Sequence, residues 1–354
     1  MDIFKKAQKQ GYFLIAEIGV NYYDIAQKMG LNLIDAAKLM IDKAKESGLD
    51  AVKFQSYKAE KLASKYSPSY WDTKEEKTTS QFELFKKYDS FGYEEYKELA
   101  LYCREKEIVF LSTPFDFESA DYLEELVPVY KISSSDITNV PFIRHIAGKN
   151  KPILLSTGAS NLDEIKRAVD EIKQTGTGKC VLMHCVLEYP TPFEHANLNM
   201  ISSLKEEFPD FWIGYSDHTR PDANMDVLKT AWILGAVFIE KHFSLDKFIP
   251  GNDHYHSMDF NDAVKLTEQL PFLVKIRGES NKKCLDSEKL SRLNARRSIV
   301  AGVEISAGDT IERKMLVFKR PGTGISPDKI DKVIGKIAKH PIKSDEIFTW
   351  DLLD

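Results

Sequence analysis

The sequence predicts an α/β fold, a (β/α)8 barrel followed by a small β-rich domain, on three observations. Between residues 12 and 277, apolar β-rich runs alternate strictly with amphipathic helical patterns, eight of each. No GxGxxG motif follows the first run, which argues against a doubly wound dinucleotide-binding sheet. After residue 278 the alternation stops and short β-rich runs follow. Eight βα units of this size are usual for a closed TIM barrel.

The eight predicted strands are nearly continuous in apolar residues, as parallel strands buried on both faces should be. They cover residues 12–20, 51–57, 109–115, 129–134, 152–157, 180–186, 211–216 and 236–243. The helical patterns lie at about 32–47, 93–107, 117–126, 140–148, 161–174, 198–208, 222–234 and 260–277. Asn32, Asn161 and Asn261 stand where the N-caps of three of these helices are expected.

The change of character near residue 278 predicts a barrel domain over residues 1–278, a charged linker over 279–292 and a second domain over 293–354. A domain as small as the last has a thin core, and docking onto a partner would stabilise it. Within the barrel, the connection over residues 58–90 is long and polar. On the strand-exit side of a barrel, such a connection is either a lid over the site or a plain solvated excursion.

Composition excludes several classes of protein. The 354 residues are 43% hydrophobic and 29% charged, and the net charge of −5 is spread along the chain, so we expect neither nucleic acid nor membrane as a partner. No apolar run approaches the roughly 20 residues of a membrane span, and the first residues lack the apolar segment of a signal peptide. The four cysteines form no CxxC pair. We therefore expect a soluble, cytoplasmic protein with reduced cysteines.

Two histidines stand at the ends of neighbouring predicted strands, where barrel enzymes carry their chemistry. His218 follows the seventh strand, and His242 lies in the eighth, two residues after Glu240 and therefore on the same face. Two imidazoles with a carboxylate beside them suit a half-open site for a divalent metal. A single histidine at such a position is about as often an ordinary strand-end residue as it is a metal ligand.

Two lysines, Lys53 and Lys131, lie inside apolar strands, where an ammonium group needs an anionic partner. That partner is either Glu17 or Glu240, in a buried ion pair, or an anionic substrate. Hydroxyl groups suited to phosphate and carboxylate oxygens stand at neighbouring strand ends; they belong to Thr113, Ser134 and Ser156. Because there is no P-loop, a small phosphorylated acid is favoured over a nucleotide. An anion pocket beside a metal position indicates carbon–carbon bond formation assisted by a Lewis acid.

Short motifs at these strand ends occur in the order in which one known family carries them. They are AEIGVN at 16–21, VKFQ at 52–55, STPFD at 112–116, YKISSSD at 130–136, LSTG at 155–158, HC at 184–185 with YPTP at 189–192, GYSDH at 214–218 and EKHF at 240–243. Together they resemble the sialic acid synthase family, whose members make N-acetylneuraminic, legionaminic or pseudaminic acid. The tail, with RSIVA at 297–301 and KRPGTG at 319–324, resembles that family's C-terminal antifreeze-like (SAF) domain.

The resemblance implies a transferase of the EC 2.5.1 class that condenses phosphoenolpyruvate with an N-acylated hexose and releases phosphate. The hexose would be N-acetylmannosamine or a 2,4-diacetamido-trideoxyhexose. A divalent metal, Mn²⁺ first and Mg²⁺ or Co²⁺ as alternatives, would be held by His218 and His242. The residues that would bind phosphoenolpyruvate are Lys53, Thr113, Lys131, Ser134, Ser156 and Ser216. Those that would bind the sugar are Gln55, Asp136, Tyr189, Asp253 and Arg320. The catalytic acid/base or water-orienting groups would be Glu17, Glu240 and Asp253.

The resemblance also implies a domain-swapped homodimer, in which the antifreeze-like domain reaches over the partner's barrel. Arg320 would then contact the sugar bound to the partner, at its N-acyl group. This arrangement would provide the docking surface that the small second domain needs.

Three departures from the family pattern affect the identity of the sugar more than the reaction. Tyr22 stands where the family usually has histidine, and Leu187 stands where sialic acid synthases commonly have asparagine. Because leucine cannot donate a hydrogen bond, we expect that bond to be absent or to come from Glu188 or a backbone amide. The segment at 251–258 is unusually rich in histidine.

Two other functions stay open at the level of the sequence. A related phosphoenolpyruvate-dependent barrel synthase could act on another aldose, such as a sugar phosphate in octulosonate phosphate synthesis. Such enzymes lack the appended domain, so residues 293–354 argue against this alternative. The other is a non-catalytic carbohydrate-binding relative, which only Leu187 and Tyr22 favour.

Overall fold

The computed structural model describes residues 2–251 and 253–354. Asn252, within the histidine-rich segment, lies outside the described residues. The chain divides into two compact units, one ending at Arg277 and the other covering Gly278–Asp354. The bounds predicted for the linker, residues 279–292, stay a prediction, and a short helix overlaps their end.

The first unit is built on eight parallel strands, as the sequence predicts. They are β1 (Phe13–Gly19), β2 (Ala51–Ser56), β3 (Val109–Pro114), β4 (Tyr130–Ile132), β5 (Ile153–Ser156), β6 (Cys180–Cys185), β7 (Trp212–Asp217) and β8 (Phe238–His242). Their order in the sheet is β3-β2-β1-β8-β7-β6-β5-β4. Because β3 and β4 also lie next to each other, the sheet nearly closes, and the predicted barrel is confirmed.

Within residues 2–251 and 253–277, twelve helices accompany these strands. They are α1 (Ile3–Gln10), α2 (Tyr22–Met29), α3 (Leu33–Glu46), α4 (Ala59–Leu62), α5 (Gln81–Lys87), α6 (Tyr93–Glu105), α7 (Phe117–Leu123), α8 (Val140–Gly148), α9 (Leu162–Thr175), α10 (Asn199–Glu207), α11 (Asp226–Leu234) and α12 (Phe260–Arg277). Helix α3 and helices α6–α12 are the eight that the sequence predicts. None of the described helices is long and apolar enough to cross a membrane.

Helix capping confirms two of the three predicted N-caps. Asn32 and Asn161 accept hydrogen bonds from backbone N–H groups in the first turns of α3 and α9. The prediction for Asn261 is wrong, because α12 begins one residue before it. The side chain of Asp259 accepts the hydrogen bond from the N–H of Asp262 and so occupies the capping position.

The apolar core of the barrel has two layers. The larger layer packs the outward faces of the strands against the helices, with Ala16, Val52 and Phe54 among its residues. The smaller layer fills the barrel interior towards the N-terminal ends of the strands. Its residues on the strands, or in the case of Val129 directly before one, are Phe13, Ile15, Ala51, Val109, Leu111, Val129, Leu154, Val181, Met183 and Phe238. The interior is therefore closed at one end, and polar residues follow only at the C-terminal strand ends.

The second unit has its own small core. The antiparallel strands β9 (Ser298–Ala301) and β10 (Leu316–Lys319) pair with Leu316 opposite Ala301. Two short helices, α13 (Lys289–Ala295) and α14 (Ile330–Val333), complete its named elements. Ile299, Ile311 and Phe348 are fully buried within it.

Candidate active site

A cavity of about 470 Å³ lies at the C-terminal ends of the barrel strands. Every site residue predicted from the sequence lines it except Arg320, which is an exposed residue of the second unit. The lining residues among those predictions are Glu17, Lys53, Gln55, Thr113, Lys131, Ser134, Asp136, Ser156, Tyr189, Ser216, His218, Glu240, His242 and Asp253. The fold thus brings together residues that lie more than 230 positions apart in the sequence.

The alternation of side chains along the strands explains which residues reach the cavity. On β1, Ile15 fills the barrel interior and Glu17, the next residue on that face, lines the cavity. On β8, Phe238 is followed in the same way by Glu240 and His242. The same succession brings Lys53, Lys131, Ser156 and Cys185 to the cavity. Cys185 is a lining residue that the sequence analysis did not select, although strand alternation alone could have identified it.

Buried ion pairs connect the lysines and glutamates of the cavity floor. The Lys53 Nζ lies 2.5 Å from Glu17 Oε2 and 3.6 Å from Glu240 Oε1. The Lys131 Nζ lies 3.7 Å from Glu240 Oε1. Both lysines also donate to hydroxyls, Lys53 to Thr113 at 2.8 Å and Lys131 to Ser156 at 2.7 Å. Of the two partners considered for these lysines, the buried glutamates are therefore present, and the ion pairs face an open cavity with room for an anion.

The two glutamates have different proton affinities because their surroundings differ. Burial and the charge of Glu240 raise the pKa of Glu17 to about 7, although Lys53 acts in the opposite direction. Burial also disfavours ionisation of Glu240, but Lys131 and Lys53 outweigh it and lower the pKa of that carboxyl. Near neutral pH the floor therefore holds Lys53 and Lys131 against an ionised Glu240 and a partly protonated Glu17, although burial lowers the pKa of Lys131. Such a surface favours an anionic ligand.

Hydroxyls and a glycine complete the floor. The Ser216 hydroxyl donates to Glu240 Oε1 at 3.0 Å, and the N–H of Gly158 donates to Ser134 Oγ at 2.9 Å. A Cβ atom on Gly158 would lie 2.9 Å from Ser134 Oγ and 3.2 Å from Cys185 Sγ. Glycine is therefore required here for the backbone to approach the serine this closely.

His218 is held as a neutral imidazole. Its Nδ1 lies 2.7 Å from the carbonyl oxygen of Val186, so Nδ1 carries the proton and donates it, which leaves a lone pair on Nε2. Burial lowers the pKa of His218 to about 4. Metal-binding histidines commonly donate the second ring N–H to a carbonyl in this way. The ring centroids of His218 and His242 are 5.5 Å apart.

A compact group of possible metal ligands stands beside His218. One ligand atom from each of His242, Asp253 and His256 lies within 4.8 Å of the others. Nδ1 of His242 and both ring nitrogens of His256 are buried without a hydrogen-bond partner among residues 2–251 and 253–354. Burial and neighbouring cationic or titratable groups hold the pKa of both imidazoles well below the usual range. Neutral imidazoles and a carboxylate without full hydrogen bonding are a donor set that fits a divalent metal.

Two polar residues at the strand ends face away from the cavity. His184 stacks on Tyr215, and its Nε2 lies 2.8 Å from the carbonyl oxygen of Ala196. Asp217 pairs with Lys241 at 2.5 Å, and both are buried. These side chains occupy the outward strand face and do not line the cavity.

The departures from the family pattern have different structural positions. Tyr22 is fully buried and stacks on Phe91 with ring centroids 4.8 Å apart, so it belongs to the core. Leu187 does line the cavity. Glu188 does not appear among the described lining residues, and its carboxylate lies 2.8 Å from Nδ1 of His195 on the surface. Of the alternatives for the hydrogen bond that Leu187 cannot donate, this position disfavours Glu188, and absence of the bond or a backbone amide stays a prediction.

The long connection at 58–90 forms one wall of the cavity. Its lining residues are Leu62, Tyr70, Trp71, Glu76, Gln81, Leu84, Phe85 and Tyr88. The Trp71 ring N–H donates to the carbonyl oxygens of Glu76 and Thr78. The guanidinium group of Arg220 donates a hydrogen bond to the carboxylate of Glu75 at 2.5 Å. Of the two roles considered, the structure favours a segment that covers the site over a solvated excursion. The individual contacts of this segment cannot be predicted from the sequence, because they depend on tertiary packing.

Comparisons with known proteins agree with this architecture. The chain matches the NeuB family over residues 40–282 and the SAF domain over residues 296–354. The N,N'-diacetyllegionaminic acid synthase of Campylobacter jejuni is 40% identical over 340 residues, covering 94% of this chain and 98% of that protein. The N-acetylneuraminate-9-phosphate synthase of Mus musculus is 32% identical, covering 96% and 91%.

A solved structure shows the same similarity. The crystal structure of N-acetylneuraminic acid synthetase from Leptospira borgpetersenii, in complex with citrate, aligns with a TM-score of 0.68 and 31% identity. The alignment covers 79% of this chain and 90% of that one. The predicted resemblance to the sialic acid synthase family is confirmed: the chain is an enzyme that belongs to the NeuB family and carries a SAF domain at its C-terminal end.

Proposed function

We propose that the protein is a nonulosonic acid synthase, which condenses phosphoenolpyruvate with an N-acylated hexose and releases phosphate. The observation that carries this proposal is the pairing, in one cavity, of two buried lysines with a cluster of neutral histidines. The lysines suit the anionic reactant, and the histidines suit the metal that activates the aldehyde. The names of the relatives from Campylobacter jejuni and Mus musculus support the same reaction class.

Phosphoenolpyruvate would lie on the cavity floor. Lys53 and Lys131 offer charge-assisted hydrogen bonds to its phosphate and carboxylate oxygens, which are among the strongest in proteins. The hydroxyls that would orient these oxygens belong to Thr113, Ser134, Ser156 and Ser216. The barrel interior below the floor is apolar, so water cannot reach the ligand from that side.

A divalent ion, Mn²⁺ before Mg²⁺ or Co²⁺, would be held by His218 and His242, and when bound it supplies the Lewis acidity that polarises the open-chain aldehyde. C3 of phosphoenolpyruvate attacks the aldehyde carbon, and the aldehyde oxygen takes up a proton. Water adds at C2 and loses a proton, and the C2–O bond to phosphate then breaks.

Carboxyl groups of the chain would donate and accept these protons. Glu17, with a pKa of about 7, is suited to exchange a proton near neutral pH. Glu240 stays ionised beside Lys53 and Lys131 and would orient the water and stabilise positive charge at C2. Two carboxyls whose surroundings separate their pKa values are a common basis for such a division of roles. Asp253 would bind the sugar and would also serve as a catalytic acid/base or water-orienting group.

The acceptor would bind between the strand ends and the wall formed by residues 58–90. Gln55, Asp136, Tyr189 and Asp253 offer hydrogen bonds there. Leu187 and the aromatic residues of the wall offer apolar surface instead. Apolar lining suits a sugar with fewer hydroxyls, so we favour a 2,4-diacetamido-trideoxyhexose over N-acetylmannosamine.

We also propose a domain-swapped homodimer in which the SAF domain of one protomer reaches the barrel of its partner. Arg320 would then meet the N-acyl group of the partner's sugar. Support comes from the exposed position of Arg320 and from the small core of the second unit, which a docking surface would stabilise.

The test is to incubate the full chain with phosphoenolpyruvate, Mn²⁺ and each acylated hexose in turn. Phosphate release and product mass are measured together. We expect release that depends on the acceptor, with higher kcat/KM for the diacetamido-trideoxyhexose than for N-acetylmannosamine. A His242→Ala variant should lose turnover. Lack of acceptor-dependent release with every N-acylated hexose would contradict the proposal.

A further inference from the structure

His256 is a buried histidine to which the proposed mechanism gives no role. Its exposed fraction is 0%, and neither ring nitrogen has a hydrogen-bond partner within the described ranges. Burying a polar group without a partner costs free energy, and most buried polar groups in native proteins are paired. Two unpaired nitrogens on one buried ring therefore point to a ligand.

The neighbouring histidine shows the contrast. His254 is equally buried and lies on the same short 3-10 helix, His254–His256. Its Nδ1 lies 2.7 Å from the Ser244 hydroxyl and its Nε2 lies 3.1 Å from Asp24. Both nitrogens of His254 are thus satisfied by the protein, so His254 has a structural role that His256 lacks.

The backbone fixes His256 beside β8. The N–H of Met258 donates to the carbonyl oxygen of His242 at 2.8 Å, and the Ser257 hydroxyl donates to the carbonyl oxygen of Asp253 at 2.6 Å. Asn21 donates to the same hydroxyl at 3.2 Å. The chain that follows His256 is therefore held next to β8 and Asp253 by hydrogen bonds.

The ring lies against the proposed metal position. Its centroid is 4.6 Å from that of His242 and 6.0 Å from that of His218. Asp253 lies between the two closer rings, with Oδ2 3.5 Å from His242 Nδ1 and Oδ1 3.8 Å from His256 Nε2. These separations exceed hydrogen-bond length. They are near the spacing of atoms around one ion, since metal–nitrogen and metal–oxygen bonds are roughly 2.0–2.2 Å long.

We infer that His256 is a protein ligand of the divalent metal ion proposed at His242. Asp253 would bind the same ion. The inference rests on the proposed function only for the use made of the ion, because binding follows from the ligand geometry alone. A site with two imidazoles and a carboxylate prefers Mn²⁺, Co²⁺ or Zn²⁺ to Mg²⁺, which favours oxygen ligands and keeps its waters.

Co²⁺ is the probe, because its visible absorption reports the ligands directly. Metal-free protein is titrated with Co²⁺, and affinity, stoichiometry and spectrum are compared for the wild type, His256→Ala and the near-isosteric His256→Asn. We expect both variants to bind Co²⁺ at least about 10-fold more weakly, or to lose one bound ion, with altered absorption bands. His195→Ala, which removes an exposed imidazole, is the control and should bind like the wild type.

Thermal unfolding of the metal-free variants shows whether they fold. If His256→Ala unfolds, His256→Asn alone decides the outcome. Wild-type affinity and spectrum in a folded His256 variant would overturn the inference, as would a wild-type protein that binds no Co²⁺. Metal binding that depends on His256, in a protein without condensation activity, would contradict the proposed function and leave the inference standing.

Discussion

At the scale of single residues, the cavity floor separates two glutamates by their surroundings. Glu240 lies near both lysines and accepts a hydrogen bond from Ser216. Glu17 is paired with Lys53 but is fully buried, and its pKa is about 7. A carboxyl whose native pKa exceeds its unfolded value stabilises the fold in its protonated form. The contribution of Glu17 to stability should therefore fall as the pH rises from 4.5 to 7.

Replacing Glu17 with glutamine should remove this pH dependence. Relative to Glu17→Gln, the metal-free wild type should lose up to about 3 kcal/mol of unfolding free energy between pH 4.5 and 8. The sign follows from proton binding, because in this window the native state binds more protons at Glu17 than the unfolded state does. Urea unfolding at several pH values, with a chelator present, measures the difference. A difference that stays constant across the window would contradict the assigned pKa.

Lys131 provides a test of anion binding. Lys131→Met removes one charge-assisted hydrogen bond and keeps the length of the side chain, so the Kd for phosphoenolpyruvate should rise about 10- to 100-fold. Calorimetric titration of the acceptor-free protein measures this Kd. The exposed Lys179→Met serves as the control and should leave it unchanged. Equal affinity for phosphoenolpyruvate in Lys131→Met and Lys179→Met would show that phosphoenolpyruvate binds away from Lys131.

At the scale of elements, two simple periodicities predict most of the barrel. The alternation of strands and helices identifies the sheet, and the period of two along each strand selects Glu17, Lys53 and Glu240. The same period places His184 outside the cavity, because Met183 and Cys185 on either side of it face inward. The short helix α2 is not among the predicted helices, although Tyr22, Ile25 and Ala26 are buried at helical spacing.

The positions of His256 and of the cavity wall cannot be predicted from the sequence. The place of His256 beside His242 results from a turn and from pairing between distant backbone segments, for which local propensities carry no signal. The contacts of Tyr70 and Glu76 with the cavity result in the same way from a connection without a regular pattern. The strand-end residues can therefore be predicted, but the residues that cover them require the structure.

The link between Arg220 and Glu75 should hold the wall over the acceptor. An ion pair this exposed contributes at most about 1 kcal/mol to global stability, but Arg220→Ala should loosen the segment at 63–80. We expect faster hydrogen exchange there and a several-fold higher KM for the acceptor, with an unchanged Kd for phosphoenolpyruvate. Arg144→Ala, which breaks the pair with Glu171 between α8 and α9, is the matched control. Unchanged exchange in Arg220→Ala would show that the pair does not restrain the wall.

At the scale of the whole molecule, the chain has two units with separate cores. The proposed domain swap gives the second unit a catalytic role, since Arg320 would complete the partner's site. Each active site would then require a barrel from one protomer and a SAF domain from the other. This dependence can be tested without separating the two units.

Mixed dimers should restore activity between two inactive variants. Arg320→Ala impairs the acceptor contact and Glu17→Gln impairs the floor, so each homodimer should turn over slowly. In a mixed dimer, the intact barrel of the Arg320→Ala protomer receives Arg320 of the partner subunit and forms one complete site. Steady-state rates after unfolding and refolding the mixture together should exceed the sum of the separate rates. Strictly additive rates would contradict the swap.

We propose that this cavity forms a carbon–carbon bond from phosphoenolpyruvate and an aldehyde, with cleavage of the C–O bond to phosphate. The most direct measurement uses phosphoenolpyruvate with ¹⁸O in the bridging C–O–P position and follows the label by mass spectrometry. We expect the released phosphate to carry the label, to require the N-acylated hexose for its release, and to equal the amount of nonulosonic acid formed. Unlabelled phosphate, or release that does not depend on the acceptor, would contradict it.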